Sequence, residues 1–264
     1  MNVFVAERRV VQGFGVLVLA VWLAGCASLG TYNPATGRKE LIFISTPAEI
    51  SMGQDIHAQL RQEFKMSQDA VKTARLERIG RRVAQVSDRQ DYQYHFYLIE
   101  KNELNAFTVP GGNIYLFTGL LDRLASDDEI AAVLAHEIGH CSARHTIKKF
   151  QAGVGYNLLG NLLLSQLQVE NQAKQVIAQG SGTVMQLVFS AYERGDEFEG
   201  DRLGIKYMHL AGYDLQAMIK TFELLERESK GPAVPLILRS HPYLKDRIVK
   251  AREEIQKIQT PTNP

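Results

Sequence analysis

The segment AVLAHEIGHCSARH, residues 132–145, places two histidines four apart with a glutamate directly after the first. On a helix, at about 100° per residue, His140 falls roughly 40° from His136, and Glu137 about 100° to the side. Both imidazoles then face one point while the carboxylate flanks it, which suits a zinc ion with a general base beside it. Val133, Leu134 and Ile138 bracket these residues with apolar surface. The helix is therefore expected to be buried, where unpartnered imidazoles and a carboxylate are costly. A metal ion supplies the missing partner.

A catalytic zinc takes a third protein ligand and keeps one position open. His145, nine residues beyond His136, points about 180° away on a continuous helix and is read as a structural or surface histidine. The continuation used by one group of zinc proteases is absent, with Ala143 and Thr146 where glycine and histidine would stand. The segment ERGDEFEGDRLG offers a carboxylate instead. Glu197 and Asp201 lie four apart on one helix face, so the first could bind metal while the second accepts the free ring N–H of a ligand histidine. Taken alone, the same spacing reads as a solvated acidic face. The histidine pair tips the reading towards metal.

These residues need elements to position them. Ser126 to Glu129 form a capping box that launches the histidine helix. Upstream, YQYHFYLIE and NAFTVPGGNIYLFTG alternate aromatic and β-branched residues, predicting a small antiparallel sheet with PGG as a turn or bulge. FTVPGGNIYLF is a candidate edge strand on which an extended polypeptide could pair by backbone hydrogen bonds, with Asn105, Phe107, Gly111 and Gly112 along it. Two helices precede the sheet. One is capped by Thr46, with Pro47 at the first helical position and Glu49 closing a capping box. The other carries Val71, Leu76, Ile79, Val83 and Val86 on helical spacing. Three helical segments follow the histidine helix, around 183–211, 214–229 and 243–259. Before them, VGYNLLGNLLLSQLQ is interrupted by Asn157, Asn161 and Gln166, so it reads as a helix on the core or a lid over the site, not as a membrane span. The fold class is α+β, helix-rich with a small antiparallel sheet.

The chain of 264 residues is 45% hydrophobic and 22% charged, enough for the core of one generous domain. A net charge of +1 gives no electrostatic case for nucleic acid or for an acidic membrane surface. Arg8 and Arg9 precede an uncharged run from Val10 to Gly25, too short to span a bilayer and suited to a signal peptide over residues 1–25. It ends in LAGC, which resembles the cleavage box of bacterial lipoproteins. That resemblance implies lipid on the Cys26 thiol and a tether over residues 26–44. The domain proper then covers 45–264, and Ala27 after the cysteine implies sorting to the outer membrane. With Cys26 lipidated, Cys141 has no partner among the 2 cysteines and is read as a small buried hydrophobe.

HEIGH, EFEGDRLG and HPYLKDR, together with NPATGRKELIFIS, NAFTVPGGNIYLFTGLL and AGYD, resemble the gluzincin metalloprotease family of HtpX, the CAAX prenyl proteases and BepA, in its lipoprotein and periplasmic branch. The likeness runs from about residue 33 to 250. It implies a zincin fold holding one zinc ion on His136, His140 and Glu197, with Glu137 as general base. It also implies Asp201 behind a ligand histidine, and His241 and Arg247 near the site. By its sequence context alone, His241 before Pro242 reads as an exposed residue in a helix-capping loop. The resemblance moves it into the site, either as an oxyanion stabiliser or, the preferred reading, as a zinc ligand of the resting enzyme with Leu158–Leu167 as a lid. Gly200 and Glu193 stand where the family usually has alanine and often has serine, and neither change removes a ligand. The expected protein is a lipid-anchored zinc endopeptidase on the periplasmic side of the outer membrane, acting on unfolded or misassembled polypeptides. A chaperone on the same fold, or a cell-wall peptide hydrolase, are the alternatives. The intact Glu137 weighs against the first and the lack of a wall-binding repeat against the second.

Overall fold

The computed structural model describes residues 30–155, 181–231 and 233–260, together with the pairs 170–171, 174–175 and 177–178. The signal segment, Cys26 and the Leu158–Leu167 stretch lie outside the described residues.

The first helix, α1 (Thr46–Glu63), starts one residue earlier than its sequence suggests. Ser45, not Thr46, is the cap, its hydroxyl accepting from the Ala48 N–H at 3.4 Å. Glu49 is thereby carried past the capping-box position. It is buried and accepts from both terminal nitrogens of Arg89, at 3.0 and 2.6 Å. Helix α2 (Ala70–Ala84) is capped by Asp69, which accepts from the N–H groups of Val71 and Lys72. Leu76, Ile79 and Val83 are buried as their spacing predicts, but Val71, in the first turn, is 80% exposed.

The sheet comprises β3 (His95–Ile99), β4 (Ala106–Val109) and β5 (Asn113–Phe117), in the order β3-β5-β4. β4 and β5 form the expected antiparallel hairpin, with Ala106 opposite Leu116 and Val109 opposite Asn113. β3 and β5 are parallel, so the sheet is mixed. The reason is topological: the chain leaves β3, forms β4 at the far side and turns back into the middle, where β5 runs in the direction of β3. Pro110, Gly111 and Gly112 make the tight turn, with φ of 77° at Gly111 and 79° at Gly112. A Cβ on Gly111 would also sit 3.0 Å from the Ile50 Cα, so glycine is required there.

Part of the stretch expected as a tether is folded. β1 (Thr31–Asn33) and β2 (Arg38–Glu40) pair as an antiparallel ribbon. Its inner residues Asn33 and Glu40 are buried and bonded to each other at 3.0 Å, and Lys148 reaches Glu40 at 2.7 Å. Satisfied buried polar groups of this kind belong to a packed domain and not to a free linker.

After the short α3 (Thr118–Leu121) comes α4 (Asp127–Ser142), which carries the histidine pair. Ser126 caps it by accepting from Glu129 N–H, and the Glu129 carboxylate reaches back to Ala125 N–H. Every residue from Ile130 to Ser142 is buried, making α4 the central helix. Around it lie α5 (His145–Gly155), α6 (Ser181–Val188), α7 (Arg194–Leu210), α8 (Gln216–Glu228), α9 (Leu236–Ser240) and α10 (Leu244–Gln259). The segment expected as one helix over 183–211 is two, separated at residues 189–193, and α9 has no clear sequence signal. The helices expected over 214–229 and 243–259 appear as α8 and α10.

The core has two parts: α2, α4, α7, α8 and α10 with one face of the sheet, and α1, α5 and α6 with the other. Side chains such as Ile130, Leu134 and Ile138 are fully buried, each stabilising the fold by about 1.5–3 kcal/mol. α4 and α7 approach backbone to backbone, since a Cβ on Gly139 would fall 2.6 Å from the Gly200 carbonyl oxygen. Among the described residues no helix is long and apolar enough to cross a membrane.

Candidate metal centre

The close crossing of α4 and α7 brings the site together. His136 and His140 lie one turn apart on α4, and Glu197 stands in the first turns of α7 against them. His140 Nε2 is 3.0 Å from His136 Nε2 and 3.4 Å from Glu197 Oε1. His241, at the C-terminus of α9, adds a fourth donor: its Nδ1 is 3.2 Å from His136 Nε2 and 3.0 Å from Glu197 Oε1. A tetrahedron with metal–ligand bonds of zinc length has edges of about 3.3 Å. The four donor atoms therefore have the spacing of a tetrahedral cage, and two imidazole nitrogens, a carboxylate and a third imidazole are a donor set suited to zinc. His241 is buried, not the exposed loop residue that its local sequence suggests.

The groups behind the cage hold it. His136 Nδ1 meets Asp201 Oδ1 at 2.8 Å, so the carboxylate four residues after Glu197 does lie behind a histidine of the cage. Arg247, one turn into α10 and buried, bridges the two carboxylates. Its Nη1 is 2.5 Å from Glu197 Oε2, a charge contact without hydrogen-bond alignment, while Nε and Nη2 donate to Asp201 at 2.8 and 2.7 Å. Burial would raise both acids, but Arg247 outweighs it. Together with His241 it holds Glu197 well below the usual carboxylate range, and it lowers Asp201 likewise. Burial first, and the His136 ring second, keep the His140 imidazole well below its usual value, in the neutral form that can ligate.

Glu137 is buried beside the cage, with Oε1 3.5 Å from His241 Nε2 and Oε2 without a hydrogen-bond partner. Of the segment expected as a single edge strand, only β4 is an edge among the described residues, since β5 takes the middle of the sheet and Gly111 and Gly112 lie in the turn between them. β4 lies alongside α4, where Thr108 Oγ1 meets Cys141 Sγ at 2.9 Å. Cys141 is the small buried residue expected, its thiol pushed up to about 12 by burial. At the head of β4, Asn105 is fully buried with neither amide atom partnered. Phe107 packs into the core from the same strand, stacked on Tyr115 at 4.9 Å.

Three features escape sequence reasoning. α4 ends at Ser142, and Arg144 adopts a left-handed backbone with φ of 58°, so His145 begins a new helix and turns back towards His140. The continuous helix assumed for His145 does not exist, and His145 is buried, not on the surface. Tyr192, between α6 and α7, stacks on His140 with ring centroids 3.9 Å apart, and no local pattern marks it. Gly200 is not remote from the chemistry: a Cβ there would lie 3.2 Å from His136 Cε1 and from His140 Nε2.

A buried helix bearing His-Glu-x-x-His, joined by a glutamate from a second helix, defines a metallopeptidase. Residues 70–255 match the model of peptidase family M48, and the chain belongs to that family. Among curated relatives it is 28% identical over 226 residues to the beta-barrel assembly-enhancing protease of Yersinia pestis, covering 83% of this chain and 46% of that protein. It is 29% identical to the protein of the same name in Escherichia coli K12, covering 79% and 44%. The mitochondrial metalloendopeptidase OMA1 of Schizosaccharomyces pombe is 28% identical over 232 residues, covering 86% and 67%. The chain spans less than half the length of these bacterial relatives.

Proposed function

We propose that this chain is a zinc-dependent endopeptidase of the bacterial envelope, tethered by lipid on Cys26 at the periplasmic side of the outer membrane, that cleaves unfolded or misassembled envelope proteins. The observation that carries the reading is the four-donor cage beside Glu137, whose Oε2 has no hydrogen-bond partner. His136, His140 and Glu197 hold the metal. Zinc, when bound, polarises the scissile carbonyl and lowers the pKa of water. Glu137 takes the proton of the attacking water and hands it to the leaving amine. The edge of β4, unpaired among the described residues, would pair with the substrate backbone, and the unpartnered Asn105 amide at its head would add a donor and an acceptor where the substrate reaches it. Because such pairing reads backbone more than side chain, it suits extended, unfolded substrates. The names of the bacterial relatives, which concern β-barrel assembly, support an envelope substrate. The LAGC box supports the lipid tether.

His241 fills a position that a substrate would need, which favours its role as a ligand of the resting enzyme over that of an oxyanion stabiliser. The test joins metal content to cleavage of an unfolded casein. Wild type should hold about one zinc per chain and lose cleavage to a chelator, and Glu197→Ala should lose the metal. His241→Ala should keep the metal and cleave at least as fast as wild type. Full zinc in Glu197→Ala would refute the ligand set, and a hundredfold slower His241→Ala at full occupancy would assign His241 to the transition state. A wild type that cleaves nothing would favour a chaperone.

A further inference from the structure

Behind His140 runs a chain of contacts that the proposed chemistry does not use. His140 Nδ1 lies 2.8 Å from His145 Nδ1. His145 Nε2 lies 3.2 Å from Glu199 Oε2 and 3.4 Å from Asp196 Oδ1. Glu199 is gripped by Arg38 of β2, whose Nη2 donates to both carboxylate oxygens at 2.9 Å, with Arg202 at 3.7 Å. Both histidines are fully buried, whereas the Arg38 side chain is 63% exposed.

The polarity of this chain is set by elementary valence. His140 turns Nε2 to the cage, so a metal there takes the lone pair of Nε2 and leaves the ring proton on Nδ1. That N–H can donate only if His145 Nδ1 accepts, which puts the proton of His145 on Nε2. The Nε2–H then donates to Glu199, a carboxylate that only accepts and that Arg38 keeps in place. Each link admits one direction, and the direction matches metal binding through Nε2. It parallels the arrangement behind His136, where Asp201 and Arg247 play the corresponding parts.

We propose that His145 and Glu199, steadied by Arg38 of the N-terminal ribbon, are positioning residues that fix the ring orientation and tautomer of His140 and thereby set the metal affinity of the site. The inference rests on His140 being a metal ligand, as proposed above. It gives the β1–β2 ribbon a part in the metal centre although no residue of the ribbon enters the cage.

Two replacements of His145 separate positioning from packing. His145→Gln can present an oxygen to His140 and an N–H to Glu199, repeating the polarity, whereas His145→Leu keeps bulk without either. Zinc dissociation constants would be measured on the full chain by competition with a chromophoric chelator, alongside the visible spectrum of the cobalt-substituted protein. His145→Leu should bind zinc about 10- to 100-fold more weakly and shift the cobalt bands at saturating metal. His145→Gln should stay close to wild type, and Glu199→Gln should fall between them. Arg38→Met, at the solvent end, should show the smallest loss. Equal affinities in His145→Leu, His145→Gln and wild type, or equal weakening in both replacements, would overturn the proposal. If His145→Leu does not fold, an unchanged affinity in Glu199→Gln does the same. Undiminished zinc in His140→Ala would instead remove the ligand assignment on which the inference stands.

Discussion

The two sides of the site are built differently. On the metal side, the groups behind the cage meet charged or hydrogen-bonding neighbours: Asp201 meets Arg247, His145 meets Glu199, and Glu197 meets the His241 ring and the charge of Arg247, although its Oε2 accepts no hydrogen bond. Beside the cage, Glu137 Oε2 and His241 Nε2 are buried without partners, as are both amide atoms of Asn105 at the head of β4, the strand to which the proposed function assigns the substrate. An unsatisfied buried polar atom costs about 1–3 kcal/mol, a cost natural folds carry where a ligand will supply the missing bond. On the proposed function, the difference separates the part of the site that is finished before a substrate arrives from the part that a substrate would complete. Rigid pairing holds the ligands in one geometry, while unmet donors and acceptors leave binding energy for the substrate.

The sharpest way to probe this contrast is Glu137→Gln. It keeps size and polarity but cannot take a proton, so casein cleavage should drop at least about a hundredfold while zinc content and thermal stability hold. Cleavage at the wild-type rate would remove Glu137 from the role of base and with it the functional meaning of its free oxygen.

On the metal side, Arg247→Met should act on the fold itself. It leaves Glu197 and Asp201 buried without their cation, and breaking a buried pair in this way costs about 3–5 kcal/mol. Thermal melting of the metal-free protein should show that loss, and a melt unchanged from wild type would mean that the two carboxylates are satisfied by other means.

The smallest effect belongs to Asn105→Ala. Since neither amide atom is partnered in the folded protein, the substitution should leave stability near wild type. Losing one net hydrogen bond to substrate, worth about 1 kcal/mol, should lower kcat/KM roughly fivefold. A large fall in melting temperature with unchanged kinetics would show that Asn105 serves the fold and not the substrate.

Much of the molecule is legible in local pattern. Thr46-Pro47 marks the start of α1 to within one residue, Ser126 marks the cap of α4, and the period of Leu76, Ile79 and Val83 marks α2. Errors fall where long-range pairing decides. Glu49 has the spacing of a capping residue, yet Arg89, forty residues on, claims it. The antiparallel reading of the sheet holds for β4 with β5 and fails for β3 with β5, because no local signal says which strand takes the middle place.

The sequence by itself determined the metal-binding half-turn, since the 3.6-residue period of a helix sets His136 and His140 side by side whatever surrounds them. It also marked Glu197 and Asp201 as a pair on one face. Only the tertiary structure decided that the pair meets the histidines, through a crossing of α4 and α7 made close by Gly139 and Gly200. It likewise decided the places of His145 and His241. One depends on a single left-handed residue, Arg144, that ends α4 and turns the start of α5 back towards the site. The other depends on α9, a helix of five residues that brings a histidine some hundred residues away in sequence to within 3.2 Å of His136. Helical periodicity acts over a few residues and can be read from a string of letters, whereas the meeting of distant segments is set by how the whole core packs.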